Sequence, residues 1–450
     1  MDTRKNLIST LFSISLLATS TARAEDLMSV YQQAIISNPE LAAAAADRQA
    51  IVEKRVQSKA GLLPNIGFNA DLSRTRFQAQ NPPPPSQRPA NFKRTTYSTD
   101  KSASLSLTQP LFRYDRWIAL KQADSQIAEA EARYAAAEQT LILTTAERYF
   151  AILEAGDNQA FATAEKEAIG RQLEQAKQRF EVGLIAITDI NEAQARYDLA
   201  ISQEIQALSN IEGSRDALRE TTNQYHEKLD LVKDSLPLES PDPAQPDEWV
   251  NESLKQNLNV LAAQAAVETA HHEIKRQRTG HYPTLDLQSS YRIIDQNFGG
   301  IAPVDRHDAD IGLNLNIPVY QGGAVNSRTR EARSRFEQAN EQLALTLRRT
   351  ELQTRNAYRG IQTDIAQVKA LRQSLKSTQT AVDAANAGLE VGTRTVVDVL
   401  NAQREHFRAK LNYATARYQY LLDHLRLKQA VGSLSTSDLE RINQHFKATN

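Results

Sequence analysis

The chain has 450 residues, is 41% hydrophobic, and carries 53 basic against 54 acidic side chains. That near-neutral balance leaves no basic excess to neutralise phosphates, which excludes a nucleic-acid binder as the default reading. There are no cysteines, so neither a disulfide framework nor a thiol metal site is available, nor a cysteine to carry a lipid.

The first residues have the three parts of an export signal. Arg4 and Lys5 are the charged start, Leu7 to Ala18 the short apolar core, and Ala22-Arg23-Ala24 a small-x-small cleavage site. Residues 1–24 are therefore expected to be removed, leaving Glu25 as the first mature residue. No later segment reaches the roughly 18 consecutive apolar residues of a membrane helix. An exported chain of this kind is expected either to be soluble beyond the inner membrane or to cross a membrane as part of a barrel.

The remainder repeats itself. Glu181, Val182, Gly183, Asp189, Ala193 and Gln194 recur as Glu390, Val391, Gly392, Asp398, Ala402 and Gln403. Asn38-Pro-Glu-Leu41 is echoed by Asn257-Leu-Asn-Val260, and Gln109-Pro-Leu-Phe112 by Ile317-Pro-Val-Tyr320. Two similar units are expected, 25–235 and 248–432, joined by a proline-rich linker at 236–247 and followed by a tail at 433–450.

Each unit reads as a helix, two strands, one very long helix and a second long helix. Ile66, Phe68, Ala70 and Leu72 alternate with polar residues, as do Ala103, Leu105 and Leu107 with serines. Leu285, Leu287 and Tyr291, then Ile311, Leu313 and Leu315, repeat the pattern in the second unit. Period-two alternation predicts strands at about 65–77, 97–110, 284–296 and 309–320. Pro82 to Pro85 lie in the loop of the first pair, and Gly299, Gly300 and Pro303 in that of the second.

Residues 115–182 and 324–391 contain no proline and favour helix, as do 188–234 and 395–431. At 1.5 Å per residue the first two would each reach about 100 Å, which demands partners along their length. Gly183 and Gly392 sit just past their ends, where glycine takes the left-handed turn that reverses the chain. Phe407, Leu411, Ala414, Tyr418, Leu421 and Leu425 recur at the alternating spacing of a coiled-coil seam.

Four strands cannot close a membrane barrel, because the smallest has eight, and open strands would leave backbone groups unsatisfied in lipid. Strands must therefore be pooled, and three copies would give twelve.

With these features in place the chain resembles the TolC family of outer-membrane export channels. The resemblance rests on Val391 to Leu400, its partner Val182 to Ile190, the Gln109–Phe112 step and the duplicated plan. It implies an α+β membrane protein: a homotrimer whose twelve-stranded outer-membrane β-barrel continues as a long α-helical coiled-coil tunnel across the periplasm. It also implies a passive export duct for proteins or small toxic molecules, working with a periplasmic adaptor and an inner-membrane pump, with no cofactor and no catalysis.

The resemblance further implies roles at the tip. The family pattern has two aspartates three residues apart at its narrowest opening; here the positions hold Asp398 and Asn401. A ring of carboxylates selects cations, so the asparagine is expected to weaken that preference. A latch is implied from Arg394 to Thr188 and Asp189, while a further family tyrosine is Leu389 here. Without the resemblance, Arg394 and Asp398 read as a solvated i,i+4 pair. Histidines 271, 272 and 281 lack ligand spacing, and no nucleophile turn is found. The competing readings are a soluble periplasmic coiled-coil adaptor and a structural filament.

Overall fold

The computed structural model describes residues 24–88, 93–233, 235–298 and 304–447, the side chains of 297 and 298 excepted. The expected export signal falls almost wholly outside these residues, as do Gly299, Gly300 and Pro303.

The first unit opens with α1 (Leu27–Ser37) and α2 (Pro39–Ala60), and the second with α5 (Pro246–Gln256) and α6 (Leu258–Arg278). Where sequence periodicity suggests one helix, each unit has two, divided at an asparagine. Asn38 accepts a hydrogen bond from Leu41 N at 2.9 Å, and Pro39, with no N–H to lose, starts the next helix. Asn257 accepts from Asn259 N and Val260 N at 2.9 and 3.2 Å. The echo between the Asn38 and Asn257 segments is thus a duplicated helix cap.

Between these come two long hairpins. The first is α3 (Tyr114–Glu181) and α4 (Ile187–Thr222); the second is α7 (Ala324–Glu390) and α8 (Val396–Val431). The helix expected over 188–234 stops at Thr222, because Asn223 adopts φ 54° and returns its N–H to Arg219 O at 2.7 Å. The tail beyond 432 is likewise not loose. It forms α9 (Thr436–Asn443) and β6 (Phe446–Lys447), which pairs antiparallel with β3 (Leu231–Val232). The linker ends at Pro246, the first residue of α5.

These late pieces close a clasp midway along the helices. Tyr149 and Phe150 of α3 are buried against Tyr418 of α8 and Phe446 of β6, with ring centroids 5.4 to 6.0 Å apart. Tyr149 Oη donates to the Glu25 and Asp230 carbonyls at 3.1 and 2.9 Å, which ties the segment before α1 to the core. Ala414, Tyr418, Leu421 and Leu425 of the expected seam lie in this core. Phe407 and Leu411 remain partly exposed, and His406 and Ala409 are buried instead.

The four strands β1 (Asn65–Gln78), β2 (Thr95–Phe112), β4 (Thr284–Phe298) and β5 (Val304–Asn316) form one antiparallel sheet in the order β1-β2-β4-β5. The last strand lies earlier than the expected 309–320. Pro318, which cannot donate to a ladder, follows its end, and Val319 and Tyr320 are solvent-facing. Pairing is continuous across the four strands, with one bulge in β2 between Pro110 and Phe112 against β4. One face carries the rows Ile66–Leu107–Ser289–Ile311 and Phe68–Leu105–Tyr291–Ala309. The other carries Gly67–Ser106–Ser290–Asp310 and Asn69–Ser104–Arg292–Asp308. One face is therefore apolar and the other polar. The apolar face is bare: Phe68 is 69% and Ile311 76% exposed. It runs along β4 from Leu285 to Ile293 before Asp295 ends it with a salt bridge to Lys101. At about 3.3 Å per residue that stretch is about 26 Å long, or about 20 Å once tilted, close to the height of an outer-membrane apolar band.

Between α7 and α8, Asp364 is buried beside Asp423. Asp423 is also held by Arg426 at 2.9 Å, which spans to Glu147 of α3 at 2.8 Å. Burial, then the Asp423 charge, pushes the Asp364 carboxyl up to about 7. The folded value lies above the unfolded one, near 4, so folding favours the protonated acid. The stability it supplies is complete below about pH 4 and is lost as pH rises towards 7. Thermal unfolding should show the wild-type midpoint falling between pH 5 and 8 relative to Asp364→Asn, which lacks this dependence.

Candidate functional site: the tips of the helical hairpins

Both hairpins turn in the same way. Past α3, Leu184 N donates to Arg179 O at 2.9 Å and Gly183 N to Phe180 O at 2.8 Å. Past α7, Thr393 N donates to Gly388 O at 2.9 Å and Gly392 N to Leu389 O at 3.3 Å. These paired reverse bonds satisfy carbonyls left over at the helix end. Gly183 and Gly392 each adopt φ 76°, and a Cβ on either would touch nothing within 4 Å. Their glycine requirement is therefore conformational.

The two tips then differ. Where the first has Arg179, the second has Gly388, over which the chain folds so closely that a Cβ would lie 2.5 Å from Arg394 Cγ. Arg179 reaches across instead: its Nη1 donates to Leu389 O at 3.3 Å and ties one hairpin to the other. Leu389 itself is buried with Ile169, Leu173, Ala193, Ala385, Val396 and Val399 in a small apolar core at the tip. The position of the family's tyrosine thus serves packing in this chain.

The start of α8 is held by a reciprocal cap. Asp398 N donates to Thr395 Oγ1 at 3.2 Å, while Thr395 N and Oγ1 both donate to Asp398 Oδ2 at 2.9 Å. The backbone bond first, and then the hydroxyl, hold the Asp398 carboxyl below its ordinary range, so it is charged at neutral pH. Arg394 Nη1 stands 3.9 Å from the other carboxylate oxygen, with the two side chains 60% and 40% exposed. An ion pair so exposed contributes about 0 to 1 kcal/mol. Thr188 and Asp189 occupy the first turn of α4, where Asp189 N donates to Ala186 O at 3.1 Å. Among the described residues, no hydrogen bond or ion pair within one chain joins Arg394 to either.

Asn401 lies one turn beyond Asp398 on α8 and accepts a hydrogen bond from Arg196 Nη2 of α4 at 3.4 Å. Arg196 also stands 3.6 Å from Glu192. Sequence reading passed over Arg179, Arg196 and Gly388. Only Gly388 left a trace there, as a second glycine shortly before Gly392 in one repeat alone.

No cluster of three or more His, Asp or Glu side chains placed to hold a metal occurs among the described residues. Nor, among them, is any helix long and apolar enough to cross a membrane. What the chain offers is a bare apolar sheet at one end and a charged, hydrogen-bonded pair of turns at the other. Its sequence matches the model of a family described as outer membrane efflux protein over residues 30–224 and 249–433, one stretch for each repeat.

The chain belongs to that family. It is 38% identical to the outer membrane protein TolC of Escherichia coli K12, over 98% of this chain and 89% of the relative. It is 27% identical to the alkaline protease secretion protein AprF of Pseudomonas aeruginosa, over 99% and 92%. Its fold matches the crystal structure of the Campylobacter jejuni CmeC outer membrane channel with a TM-score of 0.75 and 18% identity, covering 94% of this chain and 90% of that one. The VceC outer membrane protein of Vibrio cholerae matches with a TM-score of 0.75 and 20% identity, over 90% and 96%. The protein is an outer-membrane export channel reaching into the periplasm, not an enzyme. An end-to-end match of this kind favours the channel over the adaptor and filament readings.

Because Gly388 accommodates the fold-back of Arg394, Gly388→Ala should push that side chain out and loosen the second turn. Limited trypsin digestion should then cut after Arg394 faster than in the wild type, with cleavage after Arg179 unchanged.

Proposed function

We propose that three copies of the chain close one barrel and one tunnel, and that the hairpin tips form the gate. The observation that carries the proposal is the unfinished sheet. β1 and β5 are its two edges, and the alternation of directions leaves β5 antiparallel to β1. The β5 edge of one copy can therefore accept the β1 edge of the next, and the ring closes with every neighbour antiparallel. The bare apolar face then meets lipid and the polar face lines the pore.

At the far end, Asp398 and Asn401 form the constriction as stacked rings of carboxylates and amides. Arg394 is the latch. Within its own chain it only rests near Asp398, at 3.9 Å, and it is exposed enough to bridge to Thr188 and Asp189 of a neighbouring copy. Three such links, each weak, bias an equilibrium between closed and open tips. Gly183 and Gly392 are the pivots of the iris. A periplasmic adaptor and an inner-membrane pump engage the tips and supply the energy, and the duct exports proteins, small toxic molecules, or both.

In planar bilayers, Arg394→Ala combined with Asp189→Ala should raise single-channel conductance several-fold over wild type. Unaltered conductance in a correctly assembled trimer would overturn the latch. In cells, crosslinking should recover an inner-membrane transporter and an adaptor with the wild-type channel.

A further inference from the structure

We propose that Arg196 sets the ion selectivity of the tunnel entrance, a role that rests on the constriction reading above. The observation is the hydrogen bond from Arg196 Nη2 to Asn401 Oδ1 across the two hairpins at 3.4 Å. It holds a guanidinium from α4 at the height of the second constriction ring. That ring would otherwise be taken for neutral amides.

The partner's chemistry matters. An asparagine oxygen accepts the bond but adds no charge, so Asn401 orients the cation and leaves Glu192 as its counter-charge. An aspartate at 401 would cancel it. Glu192 stands on the other side at 3.6 Å, on the same helix as Arg196, and is the more exposed of the two, at 44% against 28% for the arginine side chain. Over 184–196 and 393–401, the segments that carry the proposed constriction, the charges are Asp189, Glu192 and Asp398 against Arg196 and Arg394. Two guanidiniums against three carboxylates leave a mild negative excess per chain. Removing Arg196 doubles that excess, and the trimer multiplies it. A fixed charge acts on passing ions within a Debye length, about 8 Å at physiological salt, and a tunnel closing around Asn401 brings ions within that reach.

The arginine also explains what a lone asparagine does not. Loss of one carboxylate from a ring weakens cation preference; a guanidinium seated on its replacement opposes that preference outright. The pair Arg196 and Asn401 thus makes the entrance a mixed-charge filter, tolerant of anionic as well as cationic solutes.

The test is the reversal potential of purified trimer in a planar bilayer across a KCl gradient. Arg196→Gln should raise the potassium-to-chloride permeability ratio by about twofold or more. Asn401→Asp, which neutralises the guanidinium in place, should shift it the same way, and Arg196→Lys should restore the wild-type ratio because charge and not shape is at work. Asp398→Asn, which removes a carboxylate, should lower the ratio. If Asp398→Asn shifts the ratio while Arg196→Gln and Asn401→Asp do not, the Arg196 role is wrong and the constriction stands. If none of the three shifts it, the constriction itself is misplaced. Should Arg196→Gln fail to assemble as a heat-resistant trimer, Arg196→Met, which also removes the charge, carries the same comparison.

Discussion

Everything in this molecule follows from a sheet that cannot finish itself. Its register puts Ile66, Phe68, Leu105, Tyr291 and Ile311 on one face and serines, aspartates and an arginine on the other. Among the described residues, no helix covers that apolar face and neither edge strand has a partner. In water such a surface would aggregate; in lipid its edges would each expose unsatisfied backbone groups at a cost of several kcal/mol. The proposed closure with identical edges answers both demands at once. The long helices would share the symmetry of such a ring, since they continue from the strands through Arg113 and the Gly322–Gly323 corner.

A long helical hairpin anchored at one end by a membrane sheet needs a second point of support. The clasp near Tyr149 and Phe150 supplies it. It gathers Glu25, the stretch after α4, the linker and the tail around α3 and α8. Beyond the clasp, a small tip core joins the two hairpins. Packing therefore thins from clasp to tip, and polar contacts such as Arg179 to Leu389 O and Arg196 to Asn401 take over the coupling. Contacts of that kind break and re-form at low cost, which suits the gate proposed for that end.

Much of this architecture was legible in the sequence. Alternation identifies the strands because one face of each is apolar, and absence of proline identifies the long helices. The duplicated glycines mark the turns because only a left-handed residue closes them. The parts that stayed hidden depend on long-range partners. That α4 ends at Thr222 follows from Asn223 and from Thr222 meeting the buried His226, a local pattern with no periodic signature. The tail's helix and strand exist because β3 offers an edge more than two hundred residues earlier. Arg196 is invisible for the same reason: its partner Asn401 lies in the other repeat, and an arginine on a polar helix face ordinarily reads as solvated.

The two repeats have diverged most where they must behave differently. The second tip caps its returning helix with Thr395 and Asp398, and Gly388 lets the turn lie flat against Arg394. The first tip begins its returning helix at Ala186 with no side-chain cap, and has Arg179 in place of Gly388. A side-chain cap contributes about 1 kcal/mol, so the first turn of α8 is held more firmly than that of α4. The side chains proposed to line the opening thus sit on the better-held hairpin, and the residues proposed to receive the latch sit on the looser one. In the proposed gate, that difference would let the less firmly held α4 turn move first while the α8 turn keeps its shape.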